Sequence, residues 1–305
     1  MSGSGFAQLM ARFADAGRDI GLCVAGGNDP EVINAAADAL RLGLVGRAVV
    51  TGDASWIARH LPVDVAKQVD LRDAETPAEC AEKAVAVVRA GEAGIPMKGH
   101  VDSTSYLRAI VSRTNGLRDG GILSNVTVAE MASYPKFLAA TDNGIVPAPE
   151  LDQKRQIILN TAPLFRGLGV DPVKVAAVAA TEKVSDALSA TRDAIALSEE
   201  SRDGKLPGFV VDGPFGYDVA VSRSAAISKK LDQSEVAGMA DLLLFPTIEA
   251  ANAVAKSWKF HGQAETGSLV LGARVPVLLN SRSDSAARRI NALLLALAVK
   301  AGETK

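Results

Sequence analysis

Ser281, Arg282 and Asp284 fall within the stretch Asn280-Ser-Arg-Ser-Asp284. A hydroxyl, a guanidinium and a carboxylate at this spacing suit an anion. The serine and the backbone N–H groups of a helix start donate to phosphate or carboxylate oxygens, and the arginine adds a two-pronged charge. The apolar run from Val275 to Leu279 reads as a buried strand, and Ile290, Leu293, Leu294 and Leu297 follow at the helical i, i+3, i+4, i+7 spacing. A strand therefore runs into a helix, and α/β proteins bind ligands at the carboxyl ends of parallel strands. Ser281 and Asp284 also have the S-x-x-[DE] spacing of a capping box, a purely structural use. Arg282 does not fit that simpler use, because a cation in a first helical turn opposes the macrodipole by roughly 0.3–1 kcal/mol.

A second hydroxyl-rich helix start lies at Lys98-Gly-His-Val-Asp-Ser-Thr-Ser105, where Leu107, Ile110 and Val111 give an apolar face. Ser103 and Thr104 stand at its opening, Arg108 about one turn in and Lys98 just outside, so both cations can face an anion at the helix N-terminus. Simple capping hydroxyls with solvated cations explain the same residues. Two further stretches read as strand-to-helix connections. Asp212-Gly213-Pro214 follows an apolar strand and offers Asp212 and Gly213. Pro246-Thr-Ile-Glu-Ala-Ala-Asn252 follows another and places Glu249 and Asn252 on one helical face. Turn formation, capping or a subunit contact would account for these nearly as well.

The elements that must carry these residues alternate. An amphipathic helix with Phe6, Leu9, Met10 and Phe13 opens the chain. A strand from Asp19 to Ala25, a turn at Gly26-Gly27 and a helix capped by Asp29 before Pro30 come next. Ala48–Thr51 is a strand, a short helix surrounds Trp56, and Thr76-Pro77 opens a helix through Val88. Strands and turns fill 123–146, helical periodicity returns over 151–168, and the remainder has strands at 174–180, 208–212 and 241–245 with helices at 185–197 and 248–261. The expected architecture is α/β, with two α/β domains built on mostly parallel sheets flanking an active-site cleft. Residues 1–134 make one domain, to which a C-terminal helix over 286–305 returns, and residues 135–285 make the other.

The totals bound the partners. The chain has 305 residues, with 33 basic residues against 35 acidic ones for a net charge of -2, so it shows no overall footprint for nucleic acid or an anionic membrane. No apolar run approaches the ~20 residues of a membrane helix. The amino terminus lacks a basic n-region and a long h-region, which predicts a cytoplasmic location. Cys23 and Cys80 have no metal or redox spacing and read as buried thiols, and His60, His100 and His261 are too scattered to hold zinc. No metal is expected.

Taken in order, KGHVDSTSYLRAIV, VDGPFGYDVAVS, ADLLLFPTIEAANAVAKS and VPVLLNSRSDSAARRINALLLALA resemble the phosphate acetyl/butyryltransferase family, and AGGNDPEVINAAADALRLGLVGRAVVTGD resembles its opening β-α-β unit. The resemblance implies two α/β domains, a homodimer, and reversible transfer of a short acyl group, acetyl or butyryl, between coenzyme A and phosphate. Its substrates would be acyl-CoA or CoA with phosphate or acyl phosphate, and no tightly bound cofactor is implied. Ser281-Arg282 resembles the family's active-site pair, and Arg108 matches an arginine in its hydroxyl-rich helix, which suggests a phosphate-binding corner facing Arg108 across the cleft. Acetyltransferase members carry Gly-Cys-Ser after the pair and an aspartate, proposed as the base for the thiol, some residues later. Here Ser283-Asp284-Ser285 follows, and Arg288 or a neighbour stands at the aspartate's place. That departure resembles the butyryltransferase branch and leaves Asp284 as the nearest substitute base, with Asp212 a distant one. The alternative is a non-catalytic CoA or phosphate-ester binding protein on the same fold. An NAD-dependent oxidoreductase is a third reading, disfavoured because Gly26-Gly27 lacks the G-x-G-x-x-G fingerprint.

Overall fold

Short apolar runs bounded by turn residues do alternate with helices in the computed structural model, which describes residues 5–281 and 284–303. The chain divides into two compact units. One comprises Phe6–Gly121 with Gly267–Lys300, and the other contains Ile122–Thr266.

The first unit opens with α1 (Phe6–Phe13), whose Phe6, Leu9 and Phe13 are buried. It continues through β1 (Gly21–Ala25), α2 (Pro30–Arg41), β2 (Arg47–Gly52), α3 (Ala54–His60), β3 (Val69–Asp73), α4 (Pro77–Arg89), β4 (Ile95–Lys98) and α5 (Ser103–Val111). Its helices start where short side chains meet the orphan N–H groups of a first turn. Asp29 accepts from Val32 N at 3.2 Å, Asp53 from Trp56 N at 2.8 Å, and Thr76 from Glu79 N at 3.1 Å. Proline occupies the first turn of α2 and of α4, where its missing N–H costs nothing.

The second unit runs β5 (Ser124–Glu130), β6 (Leu138–Thr141), α6 (Leu151–Asn160), α7 (Ala162–Leu168), β7 (Val173–Val178), α8 (Ser189–Arg202), β8 (Phe209–Phe215), α9 (Tyr217–Val221), α10 (Arg223–Ser228), β9 (Leu242–Leu244) and α11 (Ile248–Phe260). After β10 (Glu265–Leu271), the chain adds β11 (Val277–Leu278) and α12 (Ala286–Glu303).

Strands of the first unit lie in the order β3-β2-β1-β4-β11-β10, parallel except for the antiparallel β10–β11 pair. Those of the second lie in the order β5-β6-β9-β7-β8, with only β5–β6 antiparallel. The α12 segment from Ile290 to Val299 is buried all round, as its run of Leu and Ala predicts for a helix with no polar face. Gly267 is needed there, because a Cβ would lie 2.9 Å from Ala292 N.

Several boundaries depart from the expected ones. Val69–Asp73, unanticipated, pairs along the outer side of β2. Its Asp70, Arg72 and Asp73 suit an edge strand that faces water, and hide the apolar alternation that marks strands. The helix expected over 151–168 is two, broken at Thr161, whose hydroxyl donates to Ile158 O at 2.7 Å before Pro163 starts the next turn. The helix expected from Ser185 starts at Ser189. Ser185 instead closes a turn in which its N–H donates to Thr191 Oγ1 at 3.0 Å. No described helix is long and apolar enough to cross a membrane.

Candidate active site

The corner forms where β11 lies beside β4, with Leu278 opposite Met97, so that Lys98 and the Asn280-Ser281 pair leave the sheet side by side. The group that ties them is Arg289, in the first turns of α12. Its guanidinium donates to Lys98 O at 3.1 Å and to Ser281 O at 3.4 Å. Arg289 is only 2% exposed. Burial pulls its pKa below the usual arginine value, opposed by the charges of Asp284, Asp29 and Glu31. Motif reading does not single it out, although Arg289, Leu293 and Ala296 share the i, i+4, i+7 face that marks a buried stripe.

The segment before α12 keeps the Asp284 half of the expected capping box but starts the helix beyond it. Asp284 Oδ2 accepts from Ser281 N at 2.8 Å and Asp284 N donates to Ser281 O at 3.1 Å, which closes a turn ahead of the helix. The helix starts at Ala286. Ser285 Oγ accepts from Arg288 N at 3.5 Å, and Glu31 Oε2, from α2, accepts from Ala286 N at 3.0 Å. Ser281 and Asp284 thus shape the approach to the helix, while Ser285 and Glu31 serve its orphan donors. Arg282 and Ser283 lie outside the described residues. Asn280, 2% exposed, has a buried side-chain oxygen without a hydrogen-bond partner among the described residues.

Lys98 is the last residue of β4 and is 1% exposed, so it is part of the corner's floor rather than a solvated cation. The expected capping role of the hydroxyls also needs correcting. Asp102 Oδ1 caps α5 by accepting from Ser105 N at 2.8 Å, and Ser103 and Thr104 are exposed in the first turn. Arg108, also exposed, lines a groove of about 630 Å³ between α4 and α5, together with Lys83, Arg89 and Ser105. It belongs to the same compact unit as Ser281.

In the same unit, the turn after β1 and the loop after β4 come very close. Gly26 has φ +82°, and a Cβ on Gly99 would lie 2.1 Å from Gly26 O. Only glycines permit this approach. It lets His100 N donate to Gly26 O at 2.7 Å and brings His100 Nδ1 to 3.7 Å from Asp29 Oδ2. In the sequence His100 is one of three scattered histidines; its place two residues after Lys98, in a hydroxyl-rich strand-to-helix loop, is the signal that distinguishes it.

Of the second unit's candidates, Asp212 and Gly213 lie inside β8 and not in a loop after it. Asp212 accepts from Ser198 Oγ at 3.2 Å, from Ser234 Oγ at 2.5 Å and from Gly213 N at 2.8 Å, so its oxygens hold the fold together. Gly213 has φ +148° and passes so close to β7 that a Cβ would meet Ala177 O at 2.6 Å. The strand continues past the expected end because β7 and β8 shift register there. Glu249 is exposed in the first turn of α11, whose cap is Thr247, and Asn252 donates to Asn143 O at 3.0 Å. Beside it, Asp142 accepts from the N–H groups of Gly144, Ile145 and Val146. Burial raises its pKa against those donors. As a sequence, Thr-Asp-Asn-Gly signals only a turn.

Both cysteines are buried and free, and burial pushes the Cys23 thiol up to about 12. Among the described residues, no group of three or more His, Cys, Asp or Glu side chains is placed to hold a metal ion.

The fold is α/β, with Lys98 and Ser281 at neighbouring strand ends. Residues 63–297 match the family described as Phosphate acetyl/butaryl transferase. A probable phosphate butyryltransferase of Bacillus subtilis (strain 168) is 37% identical over 276 residues, covering 90% of this chain and 92% of its own. A phosphate acetyltransferase of Thermotoga maritima is 37% identical over 265 residues, covering 87% and 90%. The crystal structure of a branched-chain phosphotransacylase from Enterococcus faecalis V583 superposes with a TM-score of 0.80 at 26% identity, covering 92% of this chain and 99% of that one. The chain belongs to the phosphate acetyl/butyryltransferase family and is an acyltransferase.

Proposed function

We propose that this enzyme catalyses acyl-CoA + phosphate ⇌ acyl phosphate + CoA with short acyl chains, on the butyryltransferase side of its family. The observation that carries the reading is the Arg289-tied corner, which sets Ser281 beside Lys98 at the carboxyl end of the sheet. Arg282, adjacent to Ser281 in sequence, then binds phosphate oxygens with two parallel donors. Ser281 donates to the thioester or acyl-phosphate carbonyl as negative charge develops on it. Lys98 and Arg108 add positive field for substrates that are anionic throughout, with Ser103 and Thr104 as further hydroxyls at the head of α5. Asp284 fixes the Ser281 turn through its bond to Ser281 N.

Transfer proceeds by attack of a phosphate oxygen on the thioester carbon, with departure of the CoA thiolate, or by the reverse. Neither direction asks for a tightly bound metal or redox cofactor, and holding the two substrates together supplies much of the rate. A cytoplasmic homodimer completes the reading, and a solution mass measurement tests its assembly. The reaction itself is tested by phosphate-dependent release of CoA thiol from acyl-CoAs of ~2–5 carbons. Release fastest with a four-carbon or branched chain supports the proposal; none at any length overturns it.

A further inference from the structure

The reaction proposed above leaves one proton unplaced. A CoA thiol has a pKa near ~8.5 and is mostly protonated at neutral pH, so attack on an acyl phosphate requires a group to take the S–H proton, and the reverse reaction requires the same group to return it. Asp284 is poorly suited. One of its oxygens is committed to Ser281 N at 2.8 Å. The better-matched side chain stands in the loop between β4 and α5.

We infer that His100, oriented by Asp29, accepts the proton of the CoA thiol in the acyl-CoA-forming direction and donates it to the departing thiolate in the other; the inference rests on the acyltransferase reading above. Three observations carry it. First, the backbone contact between Gly99 and Gly26 fixes the loop, so His100 is held at a defined place two residues beyond Lys98. Second, Asp29 divides its work. Oδ1 caps α2 through Val32 N, and Oδ2 faces His100 Nδ1 at 3.7 Å, so the carboxylate stands on the Nδ1 side of the ring. Third, this pair belongs to the corner. The residue two beyond Asp29 is Glu31, which accepts from the first N–H of α12, and Asp29, Glu31 and Asp284 all act on buried Arg289. The His100 side chain is 53% exposed, so a substrate thiol can reach it.

The bonds balance. The thiol S–H bond breaks and its proton passes to His100 Nε2 while sulfur bonds to the acyl carbon. The carbon–oxygen bond to phosphate then breaks, and phosphate leaves with its electron pair. Asp29 of α2 faces His100, and Lys98 and Asp102 stand two residues to either side of it in the chain; a pH profile reports their combined field.

The test is the rate of acyl-CoA formation from acyl phosphate and CoA between about pH 5 and 9 for the wild type, His100→Gln and Asp29→Asn. His100→Gln is expected to lower kcat by ~100-fold or more with little change in the KM for CoA, and to abolish the acidic limb of the profile. Asp29→Asn keeps an oxygen for the α2 cap but loses the charge beside His100, so the acidic limb should move to lower pH. An unchanged thermal midpoint in both variants excludes misfolding as the cause. A His100→Gln enzyme that keeps the acidic limb and a kcat within about threefold of the wild type overturns the inference while leaving the acyltransferase reading intact; an inactive wild type removes both.

Discussion

Arg289 reaches out of the start of α12 and bonds the carbonyl oxygens of Lys98, at 3.1 Å, and of Ser281, so one buried guanidinium fastens the ends of two neighbouring strands. Both acceptors are backbone atoms. The corner's geometry therefore survives variation at Lys98 and Ser281 more readily than at Arg289.

Replacing Arg289 by Met is expected to cost about 2–4 kcal/mol of unfolding free energy, two charge-assisted donors less the relief of burying a charge. Urea titration measures it. Turnover should fall with stability, because the Ser281 carbonyl loses its tether. Unchanged stability would show that the two contacts contribute nothing net.

Arg282→Ala should lower kcat by at least ~100-fold, the scale of losing one preorganised donor to developing charge. Steady-state rates at saturating acyl-CoA and phosphate decide it. A near-normal rate would transfer phosphate binding to Lys98 and Arg108.

Asp284 separates into a charge and a bond. Asp284→Asn can still accept from Ser281 N and should keep both the thermal midpoint and the position of the acidic limb, whereas Asp284→Ala should lose about 1 kcal/mol. Disappearance of the acidic limb in the Asn variant would make Asp284 the base instead of His100.

Cys23 gives the protein an alkaline weakness. Its native pKa of about 12 lies above the ~8.5 of an unfolded thiol, so between those values the unfolded chain holds fewer protons than the native one. Stability is untouched below about pH 8 and falls as pH rises beyond it, by up to ~1.4 kcal/mol per pH unit from this group. Cys23→Ala should flatten the decline measured by urea titration at about pH 8, 9 and 10. Equal slopes in the two proteins would refute the assignment.

The alternation of apolar runs with helical periodicity is legible because most strands are buried on both faces, as in β1, where every residue is buried. What stays hidden has physical causes. Val69–Asp73 carries charges because one side of the strand meets water. In Glu265–Leu271, Thr266, Gly267 and Ser268 break the apolar pattern so that Gly267 can admit α12. The place of Ser281 and Lys98 at strand ends can be read from the apolar runs that precede them. Arg289 and His100 acquire their places from contacts with residues nearly two hundred and about seventy positions away, which local spacing does not encode. Asp212 is misplaced by sequence reading for the converse reason: a Gly-Pro pair looks like a turn, yet here it continues a strand through a register shift.

The last strand and helix of the first unit come from the carboxyl end of the chain, while most of its strands and helices precede residue 121. During synthesis, the residues that carry Lys98, His100 and Asp29 emerge long before Arg289. They wait, without their fastening, until the second unit has been made and α12 has left the ribosome. The order of translation thus makes the joint between β4 and the Ser281 loop wait for the second unit, because Arg289 follows residue 266 in the chain.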